Sequence, residues 1–270
     1  MEDTARLPRL LDVLSGGSWG VAEDREAAKA IDEAWPKCRD AIRFHNRFRS
    51  AAAEDAVRRG ITFVVLAEAG FPLDDAPHLA AARATPDATF VYADRSGIVA
   101  GQRRRSLDDE KGARTVSTPG GQWSELSPTP GGHATALEAG IREPRKLLRT
   151  AGLLSADGEW LGDGPAHVQL GLAALEMNRG EAAAVTADLA RLLPSGSEIV
   201  IAVADGGQGQ LFAKLAGLHP HEARDLRAWI RRARLKSGAL VDVRAYGRTV
   251  LGKSLRPGSG RIMAAVARVP

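Results

Sequence analysis

The chain has 270 residues, 44% of them apolar and 26% charged, with a net charge of +4 and a single cysteine, Cys38. That length supports one domain with decorations around a sizeable core, and one thiol excludes an internal disulfide and suggests no cysteine-based metal site. No apolar run approaches a membrane span and the first residues lack the basic-then-apolar layout of a secretory signal, so a cytoplasmic protein is expected. The basic residues are scattered among acids. Their densest clusters, Arg103-Arg104-Arg105 and Arg231-Arg232, have no interleaved aromatics and read as solvated helix faces, so neither nucleic acid nor a membrane is the expected partner.

In chain order, a short apolar helix ending near Ser15 runs into Gly16-Gly17, a tight turn that a β-carbon would obstruct. Asp24 is placed to cap or complement the next helix. Residues 22–59 read as helices broken at Pro36, with Ile31, Trp35, Ile42 and Phe48 among the apolar positions. Ile61–Ala67 is a continuous β-branched run, as expected of a strand buried on both faces. Gly70 ends it, Pro77–Ala82 starts a helix, and Thr89–Ala93 is the next strand, stopped by Asp94. This is the opening of a doubly wound α/β sheet, which binds ligands beyond its carboxyl strand ends.

Further strands are expected at His133–Glu138, Ala166–Leu172, Glu198–Ala204, Leu240–Tyr246 and Arg261–Val269. Helices are expected at Glu143–Ala151, Glu181–Leu193 and His221–Lys236. Residues 106–132, rich in Gly, Pro, Ser and Thr, read as a surface loop or a substrate-covering flap. Asp205-Gly206-Gly207-Gln208-Gly209 follows a strand end without the Lys-Ser/Thr of a phosphate loop, and reads as a linker.

Arg9-x-x-Asp12-x-x-x-Gly16-Gly17, followed by Asp24-Arg25-Glu26-Ala27-Ala28, resembles the N-terminal signature of an actinobacterial family of S-adenosylmethionine-dependent methyltransferases. In that family the segment folds over the cofactor cleft. Leu14 and Ala22 fit as well, whereas Leu11, Val13 and Val21 stand where the family has aromatics and Trp19-Gly20 replaces a polar pair. Asn46-Arg47-x-x-x-Ala51 matches the pair opening the helix before the first strand. The resemblance covers about residues 8–204 and loosely the rest. It implies a Rossmann-like, seven-stranded methyltransferase sheet with its last strand inserted antiparallel. An N-terminal helical lid would occupy 1–59 and a methyltransferase-like α/β domain 60–270, as one globular unit.

In the family the first strand ends in Asp-x-Gly-x-Gly, beside the methionine part of the cofactor. Here the stretch is Leu66-Ala67-Glu68-Ala69-Gly70: Leu66 replaces the acid, Glu68 the first glycine, and Gly70 is kept. Asp94 stands where an acid accepts both ribose hydroxyls. The adenine-side Asp-Leu-Arg-Asp-Pro reads Gly140-Ile141-Arg142-Glu143-Pro144, and a His-Phe after the fourth strand becomes Leu175-Glu176. The resemblance thus implies S-adenosylmethionine as cofactor, with Gly16, Gly17, Gly70 and Asp94 as its binding positions. Leu66, Glu68 and Gly140 break the motif, so the expectation is that the cofactor binds weakly or not at all.

Pro72 and His78 match family positions beside this loop. Glu68 and His78 are therefore the candidate catalytic pair, Glu68 moving a proton and His78 orienting or assisting it. Asp74 and Asp75 read as acids at a helix start or as a second acid/base group. No zinc spacing or Gly-x-Ser-x-Gly elbow occurs, and His219 and His221 read as capping or exposed residues. The expected function is a methyltransferase-fold enzyme of specialised metabolism acting on a small molecule. It would be an atypical methyltransferase or a scaffold turned to cyclisation, elimination or isomerisation; the alternative is a non-catalytic binding partner. Association with itself or with a paralogue is left open.

Overall fold

The structure, a computed structural model, describes residues 6–72, 76–82, 88–109, 114–115, 133–243 and 261–270. Three helices come first, α1 (Arg6–Ser15), α2 (Ala22–Ala34) and α3 (Cys38–Arg58). The break between α2 and α3 falls at Pro36, which lacks an N–H and pushes Trp35 out of helical geometry. Then come β1 (Phe63–Ala67), α4 (Pro77–Ala82), β2 (Thr89–Asp94), α5 (Gly97–Asp109) and the two-residue β3 (Arg114–Thr115). β4 (His133–Glu138), α6 (Pro144–Thr150) and β5 (Ala166–Gly171) follow, and β5 runs into a 3₁₀ turn, Leu172–Glu176. The chain ends with α7 (Arg179–Leu192), β6 (Glu198–Asp205), α8 (Gly206–Leu215), α9 (Ala223–Arg232), β7 (Lys236–Asp242) and β8 (Arg261–Arg268).

The sheet order is β3-β4-β2-β1-β5-β6-β8-β7. β1, β2, β4, β5 and β6 run parallel, and β8 lies antiparallel between β6 and β7. All seven strands read from the sequence are present, and β3 extends one edge. Both faces are covered. Val65, Val91, Val168 and Ile201 pack with Leu147, Leu189 and Trp229 of α6, α7 and α9. The alternate residues Val64, Leu66, Phe90 and Tyr92 pack with Ala53, Val57 and Leu107 of α3 and α5. Val200, Ala202 and Ile262 carry the same face on to α1, α2 and α8, where Trp35 meets Phe212 edge to face at 6.2 Å. Burial on both faces explains why these strands read as continuous apolar runs. Among the described residues no helix is long and apolar enough to cross a membrane.

The structure corrects the expected elements in three places. α9 stops at Arg232, because Arg234 turns left-handed (φ 55°) and the Leu235 N–H closes onto the Ile230 carbonyl at 3.1 Å. β7 therefore begins at Lys236, four residues before the expected start at Leu240. The glycines 206, 207 and 209 form no linker; they open α8 directly from the end of β6. His221 is neither exposed nor a cap. It is buried, with Nε2 2.8 Å from the Met177 carbonyl and its ring against Trp229. Asp74, Asp75 and most of the 106–132 run lie outside the described residues.

At the amino end of β6, Glu198 is buried and accepts from Arg59 Nη1 at 2.5 Å, from Arg268 Nη2 at 3.0 Å and faces His167 Nδ1 at 3.1 Å. Burial opposes its ionisation, but the bonds from His167, Arg59 and Arg268 outweigh that and hold the carboxyl far below its ordinary range. This stabilisation is present above the ordinary carboxyl pKa of 4.5 and is lost as pH falls below it. Glu198→Gln should cost about 2 kcal/mol at neutral pH, the low side for a buried pair because both arginines are partly solvated. Urea unfolding at pH 7 and pH 4 should find the deficit smaller at the acid value.

Candidate functional site

The N-terminal signature residues hold the lid together. Arg9 of α1 donates to Asp24 of α2 (Nε to Oδ2, 2.6 Å), and the same oxygen accepts the Val21 N–H at 2.9 Å at the start of α2. Asp12 accepts the Trp19 N–H at 2.8 Å, and Arg25 donates to the Gly20 carbonyl at 2.6 Å. A Cβ on Gly17 would overlap the Asp12 carboxylate, so glycine there allows the close approach. The lid's Trp19, still 44% exposed, stacks on Phe71 from the loop after β1, with centroids 5.1 Å apart and planes 5° apart. The two rings tie the lid to the sheet edge.

Between the N-terminal helices and the sheet lies a narrow cleft that opens to solvent. It sits beyond the carboxyl ends of β1 and β5, the neighbours from which the crossovers run in opposite directions, where such sheets bind ligands. α1 contributes Leu11 and Asp12, α3 contributes His45 and Arg49, and the 3₁₀ turn contributes Leu172 and Glu176. Glu68, at the end of β1, lines it too.

Glu68 keeps the left-handed backbone expected of a glycine at its position, with φ 50°. Its side chain is 7% exposed and crosses the strand ends. Oε1 accepts the Ile141 N–H beyond β4 at 3.3 Å, and Oε2 lies 4.0 Å from Arg95 Nε beyond β2. A side chain at Gly140 would come within 3.7 Å of Oε1. The Glu68 carboxyl thus lies against the space that a side chain at 140 would enter. Burial, and then the Asp94 and Glu176 carboxylates, push the Glu68 carboxyl up to about 8. Glu176 accepts from Arg95 Nη2 at 2.5 Å, and its carboxyl is raised by burial against that pairing.

Asp94 is buried behind the loop, accepting the Gly70 N–H at 3.1 Å on Oδ2 and the Ser96 N–H at 2.9 Å on Oδ1. Burial raises its carboxyl while these N–H groups oppose the rise. Gly70 borders the cleft, with φ 73°. Gly16 and Gly17 form the lid turn and are exposed, outside the cleft lining. His78 is not brought to Glu68. It is buried at the start of α4 with Nδ1 2.6 Å from Tyr92 Oη, and it does not border the cleft. Leu66 lies in the apolar core rather than at the site. The structure adds residues that the motifs did not flag, His45, Arg49 and Arg95, and brings in Glu176, which the sequence showed only as a departure from a family motif. His45 and Arg49 stand one helical turn apart, but Arg49 falls at an unspecified position of the Asn46-Arg47 phrase. No group of metal-ligating side chains occurs among the described residues.

Comparison with known proteins agrees with the resemblance read from the sequence. The family model of S-adenosyl methyltransferases matches residues 2–118. A DUF574-family protein of Streptomyces avermitilis superposes with a TM-score of 0.76 at 19% identity, covering 99% of this chain and 98% of that one. A candidate methyltransferase of Thermobifida fusca gives 0.74 at 17% identity, covering 97% and 94%. Magnesium protoporphyrin IX methyltransferase of Synechocystis, with bound SAM, gives 0.50 at 12% identity and 98% coverage of both chains. A comparison with curated proteins finds no match. The fold is the methyltransferase α/β fold.

Raising the Glu68 carboxyl has a stability signature opposite to that of Glu198. The folded chain holds the Glu68 proton up to about 8, against 4.5 for an ordinary glutamate. Its contribution is therefore complete at low pH and declines as pH rises across that window. Glu68→Gln should remove this decline and be the more stable protein at pH 8.5, as read by chemical denaturation at pH 5 and pH 8.5. Glu68→Gly should in addition relax the left-handed backbone, by about 1 kcal/mol.

Proposed function

We propose that this chain is a methyltransferase-fold enzyme of specialised metabolism that acts on a small molecule in the lid-covered cleft, with Glu68 as its acid–base group. The observation that carries the reading is the Glu68 carboxyl. It is buried at the sheet's switch point, raised to about 8, and its Oε2 has no hydrogen-bond partner. At neutral pH such a group is largely protonated and can donate, then recover, a proton without metal assistance. Arg95 stands beside it to steady the charge that forms, and Phe71, stacked on Trp19, lines the same cleft. Cyclisation, elimination and isomerisation are the reaction types that such a group serves. Asp94 and His78 take structural parts in this reading, as anchors of the β1 loop and of α4.

The family match and the SAM-bound neighbour support S-adenosylmethionine as the group that such a cleft holds. Gly70 and Asp94 remain at their expected positions. Other residues fit the cofactor poorly: Glu68 covers the Ile141 N–H, Arg95 and Glu176 bridge the crevice, and Gly140 offers no side chain toward an adenine. Weak binding is accordingly part of the proposal. The same filling of the crevice favours the second reading, a non-catalytic binding partner.

Isothermal titration with S-adenosylmethionine and S-adenosylhomocysteine tests the cofactor half. Losing two or three polar partners at about 1–3 kcal/mol each removes several decades of affinity. No micromolar binding is expected, and a micromolar dissociation constant overturns that half. Turnover of a substrate found by screening tests the other half. Glu68→Gln should abolish it with ligand binding retained, whereas an inert wild-type chain that still binds the ligand favours the non-catalytic reading.

A further inference from the structure

Three acids line the cleft, with one cation that has no ion-pair partner among the described residues. Each acid is engaged: Asp12 by the Trp19 N–H, Glu68 by the Ile141 N–H and Glu176 by Arg95. Burial also raises all three carboxyls, which favours their neutral forms. Arg49 differs. Its Nε reaches Gln169 Oε1 and its Nη1 the Ala69 carbonyl, both at 3.4 Å, and no carboxylate among the described residues lies within ion-pair distance. Two long bonds to neutral oxygens leave most of its five donors uncommitted, and its charge is opposed by burial and by Arg103 and offset only at a distance, by Asp94 and Tyr92. A buried cation in that condition is costly unless an anion completes it.

His45 supplies a second, independent sign. It is 2% exposed, borders the same cleft, and neither ring nitrogen makes a hydrogen bond of good geometry, the neighbouring Asn46 side chain offering only a weak one. Burial, with the Arg49 charge beside it, holds the imidazole down to about 3. It is therefore neutral at any working pH, with one N–H to donate. His45 and Arg49 sit one turn apart on α3, so they share a face. Both face Gly171, where an added Cβ would lie 3.5 Å from His45 Nε2 and 3.6 Å from Arg49 Nε. The missing side chain leaves room beside both groups.

We infer that Arg49 and His45 form a carboxylate-docking subsite of this cleft, so that the small molecule proposed above is an organic carboxylate. The guanidinium takes one or both oxygens through its uncommitted N–H groups, and the imidazole N–H takes another lone pair. The inference deepens the proposed function and rests on its placing the ligand in this cleft. The shared chemistry is the carboxylate, which a substrate or the methionine end of the cofactor could bring.

Benzoate and benzamide serve as matched probes, one with a carboxylate and one with a neutral amide, titrated into the full chain and followed by NMR. Benzoate should bind at least about tenfold more tightly than benzamide, with the His45 ring signals shifting on addition. Arg49→Gln should erase that preference, and Arg49→Lys should restore part of it. His45→Phe keeps the ring volume and removes the N–H, so it should weaken benzoate even if Arg49→Gln fails to fold. Equal binding of the two probes, or benzoate binding unaltered in Arg49→Gln, overturns the subsite and leaves the acid–base reading of Glu68 standing. Titration of S-adenosylhomocysteine separates the sources. Micromolar binding lost in Arg49→Gln would support the subsite with the cofactor's carboxylate in it, and would overturn the weak-cofactor half of the proposed function instead.

Discussion

A parallel sheet covered on both faces leaves its strand ends as the places where backbone amides and polar side chains can meet a ligand. In this chain the carboxyl edge carries the consequences. The β1, β2 and β4 ends bring Glu68, Arg95 and the Ile141 N–H together, and the 3₁₀ turn after β5 adds Glu176. None of these groups could be satisfied within the apolar layers above and below the sheet. Their mutual bonding is what closes the crevice.

That closure is electrostatically unusual. Glu68, Asp94 and Glu176 are all largely buried, and Arg95 is the cation closest to them in the bonding pattern. Like charges in one low-dielectric pocket cannot all ionise freely, so the pocket keeps at least one proton near neutrality. Glu68 holds it, because among the described residues its one close donor is a backbone N–H at 3.3 Å, whereas Asp94 receives two and Glu176 has the short Arg95 bond. At the opposite edge Glu198 shows the contrast. There three basic groups surround one carboxylate, and the charge is retained.

The lid is the second consequence of the same edge. Its frame is a set of short tethers, Arg9 to Asp24, Asp12 to Trp19 and Arg25 to Gly20, that fix α1 relative to α2. The signature residues thus have a structural part in the N-terminal helices, and Asp12 lines the cleft as well. Trp19 on Phe71 then fastens that frame to the β1 loop, and α3 supplies the inner wall with His45 and Arg49.

The sequence by itself determined the sheet, the N-terminal helices with their break at Pro36, and the unusual acid at the end of β1. Those features follow from local rules: β-branched runs, a missing N–H, a glycine-rich turn, and a carboxylate where a backbone approach is expected. It pointed to Asp94 as a ligand-binding acid, and the structure gives that carboxylate a loop-anchoring bond from the Gly70 N–H. Tertiary structure alone decided the partners. His78 matches a motif position, yet its ring is held by Tyr92 and does not border the cleft that Glu68 lines. Leu175-Glu176 looked like a lost motif and became an ion pair with Arg95. Arg49 and His45 carried no motif at all, because their significance lies in what they lack among the described residues, and a charge without an ion-pair partner, or a ring nitrogen without a good hydrogen bond, is visible only once every neighbouring element has been packed around it.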